Sequence, residues 1–134
     1  MAKLLDTNLW IDLARARSAR MLKAFIARYI SDPQACLAEP IVFEVLRGAN
    51  DAEARQLTTY FQTLPLLASP TNLWSHGVDL GRICRRNGWS VGSIDLLIAV
   101  VAIHHQAELI TFDNDFQRIA SVSSLQVRLL KRPI

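Results

Sequence analysis

The run Lys3-Leu4-Leu5 constrains the fold most, because it is short, apolar and immediately followed by the carboxylate of Asp6. A run of this length is consistent with a buried strand and is too short for a helix. Ligands of open α/β sheets bind outside the carboxyl ends of the strands, so Asp6 is a candidate functional residue. The alternative is that Asp6 only caps a helix beginning near Leu9, since aspartate is a favoured N-cap residue.

Similar short apolar runs recur along the chain and alternate with segments of helical periodicity. Further strands are predicted over 34–38, 66–68, 108–111 and 125–130, and the main helices over 9–13, 19–30, 41–47, 51–64, 73–87 and 94–106. Strands that alternate with helices are typical of βαβ units and a parallel sheet. Because no linker divides the chain and its length is typical of one domain, we expect a single α/β domain spanning residues 1–134.

Composition limits the class of protein. Hydrophobic residues make up 51% of the 134 residues, which suits a sheet covered on both faces and is compatible with a subunit interface. The net charge is +3 and twelve of the 15 basic residues are arginine, which weakly favours a phosphate-bearing partner. Cys36 and Cys84 form no paired motif, so we expect two core residues in a reducing compartment. With no export segment or membrane span predicted, we expect a soluble cytoplasmic protein.

Three further acidic residues occupy positions comparable to that of Asp6. Asp113 follows a predicted strand, whereas Glu44 and Asp95 lie near the starts of predicted helices. Each of these two has an ordinary explanation as well. Glu44 can pair with Arg47 three residues later, and Asp95, behind a predicted Ser93 cap, can stabilise the start of its helix.

The four acids together indicate more than each does alone. If the strands are parallel, all four reach one edge of the sheet, where their mutual repulsion requires protonation or a neutralising cation. Oxygen ligands without a paired His or Cys suit a hard divalent ion, Mg²⁺ or Mn²⁺. We interpret the arginines near the end of helix 73–87, Arg82, Arg85 and Arg86, as mainly a solvated face.

Four segments of the chain resemble the acidic motifs of PIN-domain ribonucleases. They are Leu4-Leu5-Asp6-Thr7-Asn8, Glu44 within 42–48, Asp95 within 94–99, and Thr111-Phe112-Asp113-Asn114-Asp115-Phe116. Their order and spacing, and the length of the chain, are similar to those of the single-domain VapC-type toxins of bacterial toxin–antitoxin pairs. The resemblance covers essentially the whole chain.

The second motif departs from the family pattern. The usual Thr or Ser before its helix is replaced around Glu39-Pro40, which leaves Glu39 as an extra acid. Glu44 occupies the family position, because Leu46-Arg47-Gly48 follows it. In the last motif Asp113 is the closest match to the fourth acid, with Asp115 as a candidate auxiliary ligand.

The resemblance implies a fold and an activity. The fold is a PIN-like α/β domain with a five-stranded parallel sheet sandwiched between helices. The activity is Mg²⁺-dependent endoribonuclease cleavage of RNA, with Mn²⁺ able to substitute for Mg²⁺. The implied partners are an RNA substrate, a cognate antitoxin protein and a second copy of the chain in a homodimer.

The resemblance also implies roles for individual residues. Asp6 and Asp95 are expected to hold the principal metal ion, and the other acids to complete the site directly or through water. Hydrogen bonds that orient these ligands are expected from Asn8 and Thr111. Contacts to the RNA backbone are expected from Arg15, Arg17 and Arg47.

Three alternatives stay open at this point. A phosphatase of the haloacid-dehalogenase type also begins with an aspartate at a strand end, but it needs a second one two residues later, where this chain has Asn8. A degenerate PIN domain that binds RNA without cutting it requires the loss of an acid, and all four positions are filled. A PIN nuclease of RNA processing without an antitoxin would share every motif.

Overall fold

Five short strands form one sheet, and the first strand of the chain is the central one. The computed structural model describes residues 1–133, so Ile134, the last residue of the predicted domain, lies outside the described residues. The strands are β1 Lys3–Leu5, β2 Ala35–Ala38, β3 Leu66–Leu67, β4 Glu108–Thr111 and β5 Gln126–Leu129. Their order is β3-β2-β1-β4-β5, and every pairing is parallel. The five-stranded parallel sheet is therefore confirmed.

Helices connect the strands. They are α1 Thr7–Ala14, α2 Arg20–Ile30, α3 Glu39–Gly48, α4 Asp51–Phe61, α5 Leu73–Arg86, α6 Ser93–His105 and α7 Asp115–Ser121. The first six match the predicted helices to within a few residues. The seventh was not predicted, because it is short and begins inside the last acidic motif. It forms because Phe116 and Ile119, three residues apart, are both buried against the core.

The strand order reverses direction between β1 and β4. From β1 the chain moves outward to β2 and β3, and it then returns to the other side of β1 to form β4 and β5. Leu5 pairs with Ile110, and the amide of Asp6 donates to the Ile110 carbonyl at 2.9 Å. In open α/β sheets this reversal is where ligands bind. The end of β1 therefore lies at the ligand-binding position of this fold.

Trp10 connects α1 to the strand that precedes it. Its side chain is completely buried, and its indole nitrogen donates to the carbonyl of Leu5 at 3.2 Å. Phe61 meets the indole ring edge-on, with ring centroids 5.0 Å apart. This arrangement is favourable for aromatic pairs and fixes the direction in which α1 leaves the sheet.

The hairpin of α5 and α6 packs closely at two glycines. A Cβ on Gly81 would lie 3.0 Å from Leu96 Cδ1, and one on Gly77 would lie 3.3 Å from Leu97 Cδ2. The absence of a side chain at these two positions therefore lets α5 approach α6 closely. The interior of α6 is apolar on every face, as expected for a helix buried on all sides.

One predicted helix cap is wrong. Ser93 is the first residue of α6, and the N-cap is the extended Gly92, whose carbonyl accepts the Leu96 amide at 3.2 Å. The prediction that Cys36 and Cys84 are core residues is confirmed, because both are buried free thiols. Among residues 1–133, no helix is long and apolar enough to cross a membrane.

Candidate active site

Asp6 lies at the start of α1 but does not cap it. It occupies the N-cap position, yet its carboxylate makes no capping hydrogen bond to the helix. Instead, Oδ2 of Asp6 accepts a hydrogen bond of 2.7 Å from the hydroxyl of Thr111, which ends β4. Only 3% of Asp6 is exposed. The parallel pairing of β1 with β4 therefore places a buried carboxylate beside a buried hydroxyl, and the capping explanation does not hold.

A hydrogen bond from Thr7 joins Glu44 to the same edge of the sheet. The hydroxyl of Thr7 donates to Oε1 of Glu44 at 2.6 Å, which joins the first turn of α1 to α3. The alternative pairing of Glu44 with Arg47 is not formed, because the guanidinium of Arg47 lies 5.8 Å from the ring centroid of Phe43 instead. Glu44 is thus directed towards α1 rather than along the surface of its own helix.

Thr111 also organises the fourth motif. Its hydroxyl oxygen accepts a hydrogen bond of 2.9 Å from the amide of Asp113, and the same hydroxyl donates its hydrogen bond to Asp6. Oδ1 of Asp113 in turn accepts the amide of Asp115 at 2.9 Å, which turns the chain into α7. A continuous set of hydrogen bonds therefore connects the acid after β1 with the two acids after β4.

Asp95 reaches this edge from the first turn of α6. It is half-buried, and a Cβ on Gly92 would lie 3.7 Å from its Oδ2. Burial raises the pKa of Asp95 to about 7, and the negative charges of four further acids contribute to the rise. Those acids are Asp6, Glu44, Asp113 and Asp115. The carboxylates predicted from the four motifs, and the auxiliary one, therefore lie within one another's electric fields.

The pKa of Asp6 is raised to about 6, chiefly by burial. The hydrogen bond from Thr111 and the amide of Thr7 oppose this rise, whereas the charges of Glu44 and Asp113 add to it. The two hydrogen bonds that favour ionised Asp6 are therefore outweighed by its burial and by the negative charges of the neighbouring acids. Without a cation, the edge holds more protons near neutral pH than isolated aspartates would hold.

The donor set fits a hard divalent cation in its chemistry. Several carboxylate oxygens share one edge, and they are the ligand type that Mg²⁺ and Mn²⁺ prefer. Among residues 1–133, however, no three acidic, histidine or cysteine side chains already form a group compact enough to hold an ion. The fold gathers the carboxylates at one edge, and a divalent cation would relieve the repulsion among them.

Other predicted residues have different surroundings. Glu39 is exposed and accepts a hydrogen bond from the Ser69 hydroxyl at 2.9 Å. Asn8 is half-buried, and within the described part of the chain its side chain makes no hydrogen bond to an acid. Arg15 and Arg17 are exposed beyond the far end of α1, whose eight residues span about 12 Å. Their predicted roles, and that of Arg47, stay predictions.

Thr7 is the residue of the site that sequence reasoning missed. It is 4% exposed, and its hydroxyl contacts the acid of the second motif. A polar residue beside Asp6 in the first motif was a usable signal, but it was assigned to the next residue, Asn8. The choice depended on where α1 begins, because that position decides which side chain faces α3.

A family model for the PIN domain matches residues 3–122. The chain is 34% identical over 128 residues to VapC ribonuclease Mb1587 of Mycobacterium bovis, covering 92% of this chain and 95% of the relative. It has the same identity and coverage with ribonuclease VapC11 of Mycobacterium tuberculosis. These matches span almost the whole length of both proteins.

The fold is also similar to that of solved structures. A chain in the crystal structure of VapBC2 from Rickettsia felis, bound to a DNA fragment from their promoter, aligns with a TM-score of 0.77 at 20% identity. The alignment covers 98% of this chain and 100% of that chain. At this identity the likeness supports the fold alone.

Neutralising Asp95 should stabilise the protein without metal at high pH. Because the folded pKa of about 7 exceeds the ordinary value of 3.8, the unfolded state binds fewer protons than the folded state between these values. The contribution of Asp95 to stability therefore falls as the pH rises from about 4 to about 7. In EDTA, Asp95→Asn should raise the unfolding temperature at pH 8 by more than at pH 5, as measured by circular dichroism.

The matched control for this prediction is Asp79→Asn, an exposed aspartate within α5. It should change the unfolding temperature little and equally at both pH values. An Asp95→Asn protein that is less stable than wild type at pH 8 in EDTA would contradict the electrostatic description of the edge.

Proposed function

The chain belongs to the PIN-domain family as one of the VapC ribonucleases, and from this membership we propose that Mg²⁺ is held at the acidic edge during cleavage of RNA. The chain is an endoribonuclease, an RNA-cleaving toxin that is inhibited by an antitoxin. The observation that carries the proposal is the convergence of four acidic motifs on one edge, with pKa values of Asp6 and Asp95 raised towards neutrality. Carboxylates under such mutual repulsion favour a divalent cation.

Asp6 and Asp95 are proposed as the principal ligands, with Glu44 and Asp113 completing the site directly or through water. Asp115, whose charge acts on Asp95, is a candidate auxiliary ligand. When bound, the cation would polarise the phosphate and lower the pKa of the attacking water. Mn²⁺ can substitute for Mg²⁺, since both accept oxygen ligands.

The threonine hydroxyls hold these ligands in place. Thr111 donates to one oxygen of Asp6, and the carboxylate keeps lone pairs for a further ligand. Thr7 does the same for Glu44. Because each hydroxyl is anchored in a strand end or a first helical turn, the two carboxylates cannot rotate freely. Such outer hydrogen bonds typically affect metal affinity or activity by 10–100-fold.

Removing either principal ligand should abolish cleavage. We expect the purified protein to cut structured RNAs with Mg²⁺ or Mn²⁺ and to be inactive in EDTA. Asp6→Asn and Asp95→Asn should each lower the rate by about 100-fold or more, because each removes a negative metal ligand. The measurement is single-turnover cleavage of a panel of labelled RNAs, followed on denaturing gels.

Asp79→Asn serves again as the control, since it removes an exposed carboxylate from α5 and should cleave at the wild-type rate. Cleavage that continues in EDTA, or that is unchanged in both ligand variants, would contradict the metal-dependent mechanism. A chain that binds RNA but never cuts it would correspond to the inactive PIN domain considered above.

The threonines should act on the ligands rather than on the substrate. Thr7→Val and Thr111→Val keep the side-chain shape and remove the hydroxyl, so each should weaken activity by about 10–100-fold. Much of the loss should be recovered by raising the Mg²⁺ concentration, because the variants bind metal less tightly. Thr111→Ser is the control and should retain activity, since it keeps the hydroxyl donor. A valine variant that is as active as wild type at low Mg²⁺ would exclude a role of that hydroxyl in holding the metal ligands.

We further propose that the chain forms a homodimer and that a cognate antitoxin binds the toxin. VapBC2 from Rickettsia felis was crystallised as a complex on DNA, which supports an antitoxin partner. The homodimer is supported by three exposed apolar side chains on α3 and α5: Phe43 at 58%, Trp74 at 71% and Val78 at 60% exposed.

The surface around Trp74 has the features of a self-complementary interface. A groove of about 600 Å³ lies beside Trp74 and is lined by Phe43, Leu73 and Ile94 among others. A two-fold interface uses the same surface on both subunits. A projecting indole beside this groove can therefore insert into the groove of a second copy while receiving that copy's indole.

Trp74→Asp should convert the dimer to a monomer, because it places a charge in the centre of the proposed interface. Analytical ultracentrifugation should give the wild type a mass of twice 15.0 kDa and the variant 15.0 kDa. Met21→Asp, which alters an equally apolar and 59% exposed side chain on α2, should leave the dimer intact. A wild-type monomer, or a dimeric Trp74→Asp protein, would contradict this interface.

A further inference from the structure

The end of α5 carries a cluster of arginines that the acidic site does not use. Arg82, Arg85 and Arg86 are exposed, and they line a depression of about 410 Å³. Asp79 is the sole acid of α5, and residues 80–94 contain none. The salt bridges found within residues 1–133 involve other basic residues, so these three arginines have no acidic partner there.

The end of α5 holds these arginines in a defined place. Gly88 has a positive φ of 79°, and its amide donates to the carbonyl of Arg85 at 2.9 Å. The amide of Trp89 reaches back to the carbonyl of Cys84 at 3.0 Å, which completes a glycine-capped helix end. Trp89 itself packs against the core. The arginines therefore project from a fixed helix terminus and not from a loose loop.

The hairpin places the arginines next to the segment that delivers Asp95. Arg85 lines one groove with Ser93 and Leu96 and a second one with Ser90 and Val91. Leu96 follows Asp95 directly in the chain, and Gly92 lies against the Asp95 carboxylate. A continuous surface thus leads from the arginines across residues 90–93 to the first turn of α6.

A helix C-terminus favours basic residues by its dipole, and this effect alone can account for some positive charge at this position. It does not account for three unpaired arginines that stand one short loop before the helix that carries Asp95. An RNA strand is repelled by such carboxylates, so it needs positive charge beside the site in order to approach. Arginine suits this task because its planar group binds phosphate through paired hydrogen bonds.

We propose that Arg82, Arg85 and Arg86, here called the basic surface, bind the phosphate backbone of the RNA substrate and lead it to the acidic edge. This inference rests on the proposed function. The basic surface differs from the earlier candidates Arg15 and Arg17, which lie beyond the far end of α1. It also explains why α5 and α6 are held so closely: one hairpin positions the substrate and a metal ligand together.

The test is the salt dependence of RNA binding. The full chain carrying Asp6→Asn, which is expected not to cleave, is titrated against a fluorescent single-stranded RNA oligonucleotide by anisotropy between about 50 and 200 mM salt. Each lost phosphate contact should reduce the slope of log K against log salt by about 0.7, so replacing all three arginines with alanine should reduce it by about 2. Affinity at the lowest salt should fall by about tenfold or more.

Two control variants distinguish the loss of phosphate contacts from a change in the fold. Replacement of the three arginines by lysine retains the charges and should keep most of the slope. Arg55→Ala removes an exposed arginine of α4 and should leave binding unchanged, since Glu53 of the same helix lines a depression with Arg15 and Arg17 beyond the far end of α1. Circular dichroism and ultracentrifugation should show the same fold and mass for every variant.

The outcomes distinguish this inference from the proposed function. An alanine triple variant that binds RNA with unchanged affinity and slope overturns the basic surface, whether or not the wild type cleaves RNA. A fluorescent polyglutamate peptide is titrated in the same way. If the alanine variant loses polyglutamate binding while its RNA binding is unchanged, the inference is overturned too, and the arginines are assigned to an acidic protein segment. Arginine-dependent RNA binding by a wild-type chain that never cuts RNA supports the surface and contradicts the proposed function.

Discussion

The buried carboxylate of Asp6 is the constraint on which the site depends. Burial of an ionised group in an apolar interior is costly unless hydrogen bonds or opposite charges compensate. The parallel pairing of β1 with β4 supplies one compensation, since it places the Thr111 hydroxyl 2.7 Å from Oδ2 of Asp6. The compensation is incomplete, because the pKa of Asp6 remains raised to about 6. A cation at this edge would remove the remaining cost, so the same burial that destabilises the metal-free protein favours binding of metal.

The position of Asp95, the second carboxylate whose pKa is raised, depends on apolar packing between two helices. Asp95 is carried by α6, whose height against α5 is set by the contact between Gly81 and Leu96. A Cβ at Gly81 would lie 3.0 Å from Leu96 Cδ1, so the Leu96 side chain would have to shift. Helix packing and site geometry are thus coupled, because Asp95 and Leu96 are neighbours in one helical turn. The glycines of α5 contribute to the site although they touch neither metal ligand nor substrate.

The parts of the site that could be predicted from sequence are those set by strand ends. Asp6 and Asp113 follow β1 and β4 directly, and the parallel order brings them to one edge as expected. What could not be predicted depends on side-chain direction. The role of Thr7 depended on the residue at which α1 starts. The cap of α6 depended on a shift of one residue, and the formation of α7 depended on the burial of Phe116. Periodicity locates elements, whereas a shift of one residue decides which hydroxyl meets which acid.

Acidic and basic residues are separated along the chain at the hairpin of α5 and α6. Acids occupy the carboxyl edge of the sheet, and Arg82, Arg85 and Arg86 follow one another at the end of α5 with no acid between them and Asp95. If these arginines paired with the acids, the acids would be neutralised without metal and their pKa values would fall rather than rise. The pKa of Asp95 is raised, so these arginines do not neutralise it although they are near it in the chain. Keeping the two charges apart leaves the carboxylates available to a cation and the arginines available to an anion.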